Sequence, residues 1–440
     1  MKSILISISV LLMSISAFSN ELPQWFEKDS VVAISNRIKS DFSLTLENGL
    51  SEIKKLHSNF DINNSDKYID NHYVEVKEIN GQIMMHKKSP RNFGLLCPKY
   101  SNWEGRGASP DTEDTIMVKE ILSKSKGDGS ISNGQRIKYK FSIDIPCHDF
   151  IQGDSIYVWM PIPMETTRQK NVKIINASHK YILSNEKSAH NTLYFSDKVS
   201  YSNDSVIHFE YVGEYDVYAQ YFNKEYILKN IQPFDFSSEL YEKYTDLSHK
   251  HIIKLDSLAH SIVGTETNPY LQSELVYEYI SSTFPWAGAR EYSTIECIPQ
   301  YVLNEMHGDC GQVALLYISL MRTLGVPARW ESGWMLHPWS MNLHDWAEVY
   351  FEGIGWVPVD VSFGRYINSQ NEQERNYFST GMDNFRFATN HGICSPLYPE
   401  KKFLRSETID FQMGEVESTN GNLFYPGWTK KLEVLSITEL

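Results

Sequence analysis

Cys310, His344 and Asp360 occur in the order a thiol nucleophile, its base and the base's orienting partner take when a helix and a hairpin carry them. Cys310 lies in Gly308-Asp309-Cys310-Gly311-Gln312 and opens a segment where Val313, Ala314, Tyr317, Leu320, Met321 and Leu324 recur at helical intervals before Gly325 and Pro327 end it. The thiol therefore falls in a first helical turn. Unpaired backbone N–H groups and the positive end of the helix dipole favour a thiolate there. His344 begins a strand with Ala347, Val349 and Phe351 on one face and His344, Trp346, Glu348 and Tyr350 on the other. Gly353-Ile354-Gly355 is a turn signal, and Trp356 to Asp360 returns as a second strand that brings Asp360 beside His344.

Four blocks, in order, carry a family resemblance: Gly308-Asp309-Cys310, Leu324-Gly325-Val326-Pro327-Ala328-Arg329, His344-Asp345-Trp346-Ala347-Glu348-Val349 and Gly355-Trp356-Val357-Pro358-Val359-Asp360. Together they resemble the transglutaminase-like core, in its secreted bacterial type, over roughly residues 268–366. The resemblance implies an α+β chain with a papain-like core, in which a Cys-bearing helix packs on an antiparallel sheet. It also implies acyl transfer at amide bonds, with Cys310 as nucleophile, His344 as base and acid in an ion pair with the thiolate, and Asp360 as orienting partner. Hydrolysis, as in a cysteine peptidase or amidase, stands slightly ahead of amine cross-linking. The alternative is a non-catalytic surface module that binds a peptide or glycan and keeps a remnant triad. The Cys310 backbone N–H is one oxyanion donor, and Gln300, Tyr301 and Trp286 are candidates for the second. Trp334 and Trp346 are candidates for a substrate groove. Peptides or proteins, cell-wall stem peptides among them, are the expected substrates.

Lys2, the apolar run Ile4 to Leu12 and Ala17-Phe18-Ser19 form a secretory signal pattern, so cleavage is expected to leave Asn20 as the first residue of an extracytoplasmic protein, periplasmic or secreted. No later stretch reaches the ~18 apolar residues that cross a bilayer, so stable membrane insertion is not expected after cleavage. With 55 acidic against 41 basic side chains the net charge is −14, which argues against a nucleic-acid partner. Neither Cys-x-x-Cys nor His-Glu-x-x-His occurs, so no metal site and no cofactor is expected. If Cys310 stays free, four cysteines remain, and the pairings Cys97 with Cys147 and Cys297 with Cys394 are favoured.

At 440 residues the chain exceeds the ~250–300 that one core supports. A signal peptide at 1–19 precedes a mixed α/β region at 20–133, with a helix near Leu46 to His57, a hairpin turn at Asn80-Gly81 and an exposed linker around Lys124 to Gly129. Alternating Ile137, Tyr139, Phe141, Ile143 and Ile145, then Ile207, Phe209 and Tyr211, predict a β-sandwich-like domain at 134–235. The catalytic core follows at 236–395, where Asn268-Pro269 starts a helix with Leu271, Leu275, Tyr279 and Ile280 buried, and a short helix runs from Pro299 to Met306. Residues 396–440 are read as a C-terminal extension.

Overall fold

The helix Cys310–Thr323 is almost wholly buried, and its start is fixed twice. The Asp309 side chain accepts from Gln312 N, and Gln312 Oε1 accepts from Asp309 N. Such a capping box contributes about 1 kcal/mol and sets the first turn to within a residue. Gly311 lets that turn approach the sheet closely, since a Cβ there would meet Tyr292 Oη at 2.4 Å and Asp345 Oδ2 at 2.5 Å. The sheet beneath has four antiparallel strands, in the order Gly355–Val359, Ser340–Phe351, Ala328–His337 and Arg386–Asn390. Ala347, Val349 and Phe351 share one apolar core with the helix, as the sequence periodicity predicts.

The computed structural model describes residues 24–440 except 102–111, 148–149, 151–152, 186–187, 200–205, 366, 368, 394 and 426. The expected signal peptide lies outside the described residues. Among those described, no helix is long and apolar enough to cross a membrane. The N-terminal region begins with the helix Gln24–Asp41 and contains the helix Leu46–Leu56. It also has a hairpin of Val76–Ile79 and Gln82–Met85, turned by Asn80 and Gly81 at positive φ of 53° and 81°. Its own small core gathers around Phe60, Tyr68 and Phe93.

Two sheets precede the papain-like core in the sequence, and their inner faces share one core. In one, Asp128–Pro146 pairs with Val206–Phe222; in the other, Ser155–Pro161 pairs with Thr192–Lys198. Ile137, Tyr139, Phe141, Val158, Phe195 and Phe209 meet between them. Residues 396–440, expected as an extension, instead complete both sheets. Thr429–Glu439 pairs with Asp128–Pro146, and Glu415–Ser418 pairs with Ser155–Pro161. The physical reason is edge protection: without Thr429–Glu439, the long strand Asp128–Pro146 has only one neighbour and an open row of N–H and C=O groups.

Three more expectations are corrected. Lys124 to Gly129 is not a linker: a Thr112-capped helix, Glu113–Lys124, buries Met117, Val118 and Ile121, and the strand Asp128–Pro146 starts almost at once. The helix Pro269–Thr283 has its Asn268 cap, but it turns Tyr270, Ser273, Val276, Tyr277 and Ile280 inward and leaves Leu275 exposed. Cys97, Cys147 and Cys297 are free thiols. Cys97 caps a helix in the N-terminal core while Cys147 follows a sandwich strand, so the two belong to different packing units. Cys394, the expected partner of Cys297, lies outside the described residues.

Deleting residues 429–440 should expose the edge of Asp128–Pro146 and yield aggregated protein; size-exclusion chromatography and a thermal melt read this. A monomer with an unchanged melt would contradict the edge role.

Candidate active site

The strand Ser340–Phe351 ends one side of the cleft at His344, and the strand Gly355–Val359 delivers Asp360 immediately beyond its last residue. The register Ala347 to Val359 runs the two strands so that Asp360 reaches back to the imidazole, with His344 Nε2 and Asp360 Oδ2 2.6 Å apart. Asp360 Oδ1 accepts from Ser362 Oγ at 2.9 Å and from the Ser362 and Phe363 backbone N–H groups at 3.2 Å. Arg386 Nη1 lies 3.0 Å from Asp360 Oδ2, while its Nε donates to Asp383 Oδ2 at 2.7 Å. Burial works to raise the Asp360 carboxyl, but His344 and Arg386 outweigh it and hold the group at about 2. Burial, with help from Arg386, lowers His344 despite Asp360. The imidazole is therefore neutral near pH 7, with Nε2–H given to Asp360 and Nδ1 left as the base.

Cys310 lies at the junction of two lobes of one cleft and lines both. The first, about 390 Å³, runs between the N-terminal region, with Lys87, Lys88 and Arg91, and an acidic wall of Asp309, Asp345, Glu407 and Asp410. The second, about 290 Å³, is lined by His344 together with Met335, His337, Ser340, Asn342 and Phe363. The Cys310 thiol donates to Asp345 Oδ2 across 3.8 Å. Burial pushes the thiol well up, and Asp345 and Asp309 push it further. Burial and the carboxyls around the sulfur thus oppose the thiolate that the helix dipole, worth about half a charge, favours. Asp345 is itself raised by burial and by Asp410, and Asp410 stands at about 7 through burial, with Arg405 opposing it.

The oxyanion candidates separate. Trp286 lines both lobes, and its segment bridges to Gly308 just before the thiol helix. Gln300 is on an exposed helix face and bonds Asn304, while the Tyr301 hydroxyl donates to Glu75 Oε2 at 3.1 Å; neither lines the cleft. The two groove candidates are core residues instead. Trp334 packs against Phe141 in the sandwich core and donates to the Gln412 carbonyl at 2.9 Å. Trp346 is fully buried with its indole N–H on Glu331. Trp334 lies on the sheet face opposite His344, whereas Trp346 shares the His344 face, stacks on that ring at 5.9 Å and is spent on packing beneath it.

Sequence reasoning missed Asp345, Arg386 and Gln412. Asp345 sits beside His344 in the motif, and its acidic type was the only signal. Gln412 Nε2 donates to the His344 carbonyl at 3.0 Å and to Asp345 Oδ1, from a segment far along the chain. No local pattern marks such a contact. Glu331, Glu348 and His391 converge closely enough for a metal. Arg168 already bonds both glutamates and Arg329 bonds Glu348, so cationic side chains supply the charge there.

A helix-borne thiol over an antiparallel sheet, with His and Asp on adjoining strands, defines a papain-like core. Residues 256–361 match the model of the transglutaminase-like superfamily. Among curated proteins it is 24% identical over 157 residues to the uncharacterized protein YebA of Bacillus subtilis, covering 31% of this chain and 21% of that one. It is also 23% identical over 201 residues to an uncharacterized protein of Haemophilus influenzae, covering 38% of this chain and 53% of that one. The chain thus spans about a fifth and about half of these relatives. A solved structure of a proposed cysteine protease from Cytophaga hutchinsonii aligns with TM-score 0.44 at 16% identity, over 70% of this chain and 92% of that one. The periplasmic domain of TgpA from Pseudomonas aeruginosa aligns with TM-score 0.27 at 12% identity, over 58% and 94%.

Because the thiol is raised, Cys310 should react with iodoacetamide more slowly than a free cysteine at pH 7 and gain rate only on the alkaline side. Asp345→Asn removes the carboxyl that accepts from the thiol and opposes its ionisation, so the pH profile of alkylation should move to lower pH. Peptide mapping of the alkylated protein reads both, and an unchanged profile in the variant would detach Asp345 from the thiol.

Proposed function

We propose that the protein is a thiol acyl-transfer enzyme that hydrolyses an amide bond of a peptide or protein through Cys310, His344 and Asp360. The observation that carries this reading is the 2.6 Å pair of His344 Nε2 and Asp360 Oδ2, which leaves Nδ1 as the free base in a lobe that Cys310 also lines. Attack begins from a neutral pair rather than an ion pair. As Sγ approaches the carbonyl carbon, its proton passes to His344 Nδ1, and Asp360 stabilises the imidazolium. The tetrahedral oxyanion takes the Cys310 backbone N–H, with Trp286 as the candidate second donor because it alone of the three lies at the thiol. The imidazolium then protonates the departing amine and the C–N bond breaks, leaving a thioester. Water, deprotonated by His344, attacks the thioester, releasing a carboxylic acid and restoring the thiol. A primary amine in place of water gives a new amide instead.

The signal pattern at 1–19 supports action outside the cytoplasm, and protein purified from its own host should begin at or near Asn20. An intact Met1 on the active form would rule that out.

Mass spectrometry of a peptide library incubated with and without a primary amine separates hydrolysis, transamidation and inactivity. Cys310→Ala should abolish product while keeping the circular dichroism of the parent. Asp360→Asn should slow acylation about 10²–10⁴-fold, since the imidazole loses its orienting acceptor. A folded Cys310→Ala protein with full turnover would end the thiol mechanism, and a wild type inactive on every peptide would favour a binding module.

A further inference from the structure

The wall of the cleft that carries Trp286 has almost no secondary structure of its own. The helix Pro269–Thr283 ends before it, and from Pro285 to Glu291 the chain is irregular except for the bridge between Trp286 and Gly308. In that bridge Ala287 N donates to the Gly308 carbonyl and Gly308 N to the Pro285 carbonyl, each at 3.3 Å, which is long for such bonds. An oxyanion donor must be held to within about 0.5 Å of its working position, and two long bonds do not hold a chain so closely.

The next ties along this wall come from the N-terminal region. Asn92, 5% exposed on the helix Ser89–Leu96, accepts from Gly288 N at its Oδ1 and donates from Nδ2 to the Gly288 carbonyl, both at 2.9 Å. One side-chain amide thus occupies both backbone groups of one residue, as a neighbouring strand would, two positions after Trp286. Lys88 Nζ donates to the Ala289 carbonyl, and Asp41 Oδ2 accepts from Glu291 N at 2.7 Å. Arg290 reaches Glu75 Oε1 at 3.3 Å and lies over the ring of Phe42. The approach at the pairing is close, since a Cβ on Gly288 would meet Lys88 Cδ at 3.1 Å and Asn92 Oδ1 at 3.3 Å. Phe93, the next residue of the helix, packs edge-on against Phe60 and Tyr68, so the N-terminal core anchors the amide. Neither an asparagine amide nor a backbone group titrates, so the pairing does not depend on pH.

We propose that Asn92 is a positioning residue for acyl transfer: by pairing with Gly288 it fixes Trp286 at Cys310. The N-terminal region then completes the oxyanion wall of a papain-like core that lies far from it in sequence. This deepens the acyl-transfer reading and rests on Trp286 as the second oxyanion donor.

Two small electrophiles separate oxyanion support from the reactivity of the thiol. p-Nitrophenyl acetate acylates the sulfur through a tetrahedral oxyanion: the S–C bond forms, the C–O bond breaks and p-nitrophenolate leaves. Iodoacetamide alkylates the same sulfur by displacing iodide, and no oxyanion forms. The ratio of the two rates at Cys310, read from the nitrophenolate burst and from peptide mapping at one pH, is the measurement. Asn92→Ala should lower acylation about tenfold and leave alkylation unchanged. Asn92→Asp keeps an acceptor for Gly288 N without a donor to its carbonyl, so it should fall between, and it carries the test if Asn92→Ala does not fold. In a Trp286→Phe background, which lacks the indole N–H, Asn92→Ala should change the ratio no further. A ratio unchanged in the Asn92 variants of a protein that shows the burst, or an equal Asn92→Ala effect in the Trp286→Phe background, would overturn the positioning role and leave Asn92 as a packing contact between regions. A parent protein without a Cys310-dependent burst would end the acyl-transfer reading and this role with it.

Discussion

Arg386 is a buried cation shared by two buried carboxylates, and the geometry of the site depends on it. One edge of its guanidinium meets Asp360, which orients His344, and the other meets Asp383, which backs His337. Phe363, Phe378 and Trp346 surround it, so water does not screen the charges. In such surroundings a missing partner leaves an uncompensated charge at a cost of about 3–5 kcal/mol. Both imidazoles of the second lobe are thus set by one side chain from the fourth strand of the core sheet.

The thiol has the opposite environment. Around His344 the charges balance; around Cys310 burial pushes the thiol up, and the Asp345 and Asp309 carboxyls push it further. These surroundings favour the thiol over the thiolate at Cys310 and the neutral imidazole at His344. Positive charge brought to the acidic wall would make the sulfur easier to ionise, whereas further loss of water would make it harder.

What the sequence made legible was local. The helix start at Asp309-Cys310, the alternation of His344 to Phe351 and the turn at Gly353 to Gly355 are short-range patterns, and each sits in the fold where its pattern predicts. Trp334 and Trp346 misled because an aromatic residue beside a motif carries no sign of whether it ends in the packed core or in the cleft. Arg386 and Gln412 could not be found by spacing at all. They act through contacts that close only when distant strands pair, as does the completion of the sandwich by Glu415–Ser418 and Thr429–Glu439.

That long-range closure affects how the molecule comes into being. A nascent chain that has left the ribosome as far as residue 361 already contains Cys310, His344 and Asp360, yet it has neither Arg386 to fix Asp360 nor Gln412 to hold the His344 strand. The strand Asp128–Pro146 still waits for a partner that lies beyond the whole papain-like core in sequence. Pairing across so long a loop is slow to form, so the unfinished chain has the reactive side chains without the frame that aligns them. Alignment of Cys310, His344 and Asp360 therefore waits until the chain has passed Arg386 and Gln412.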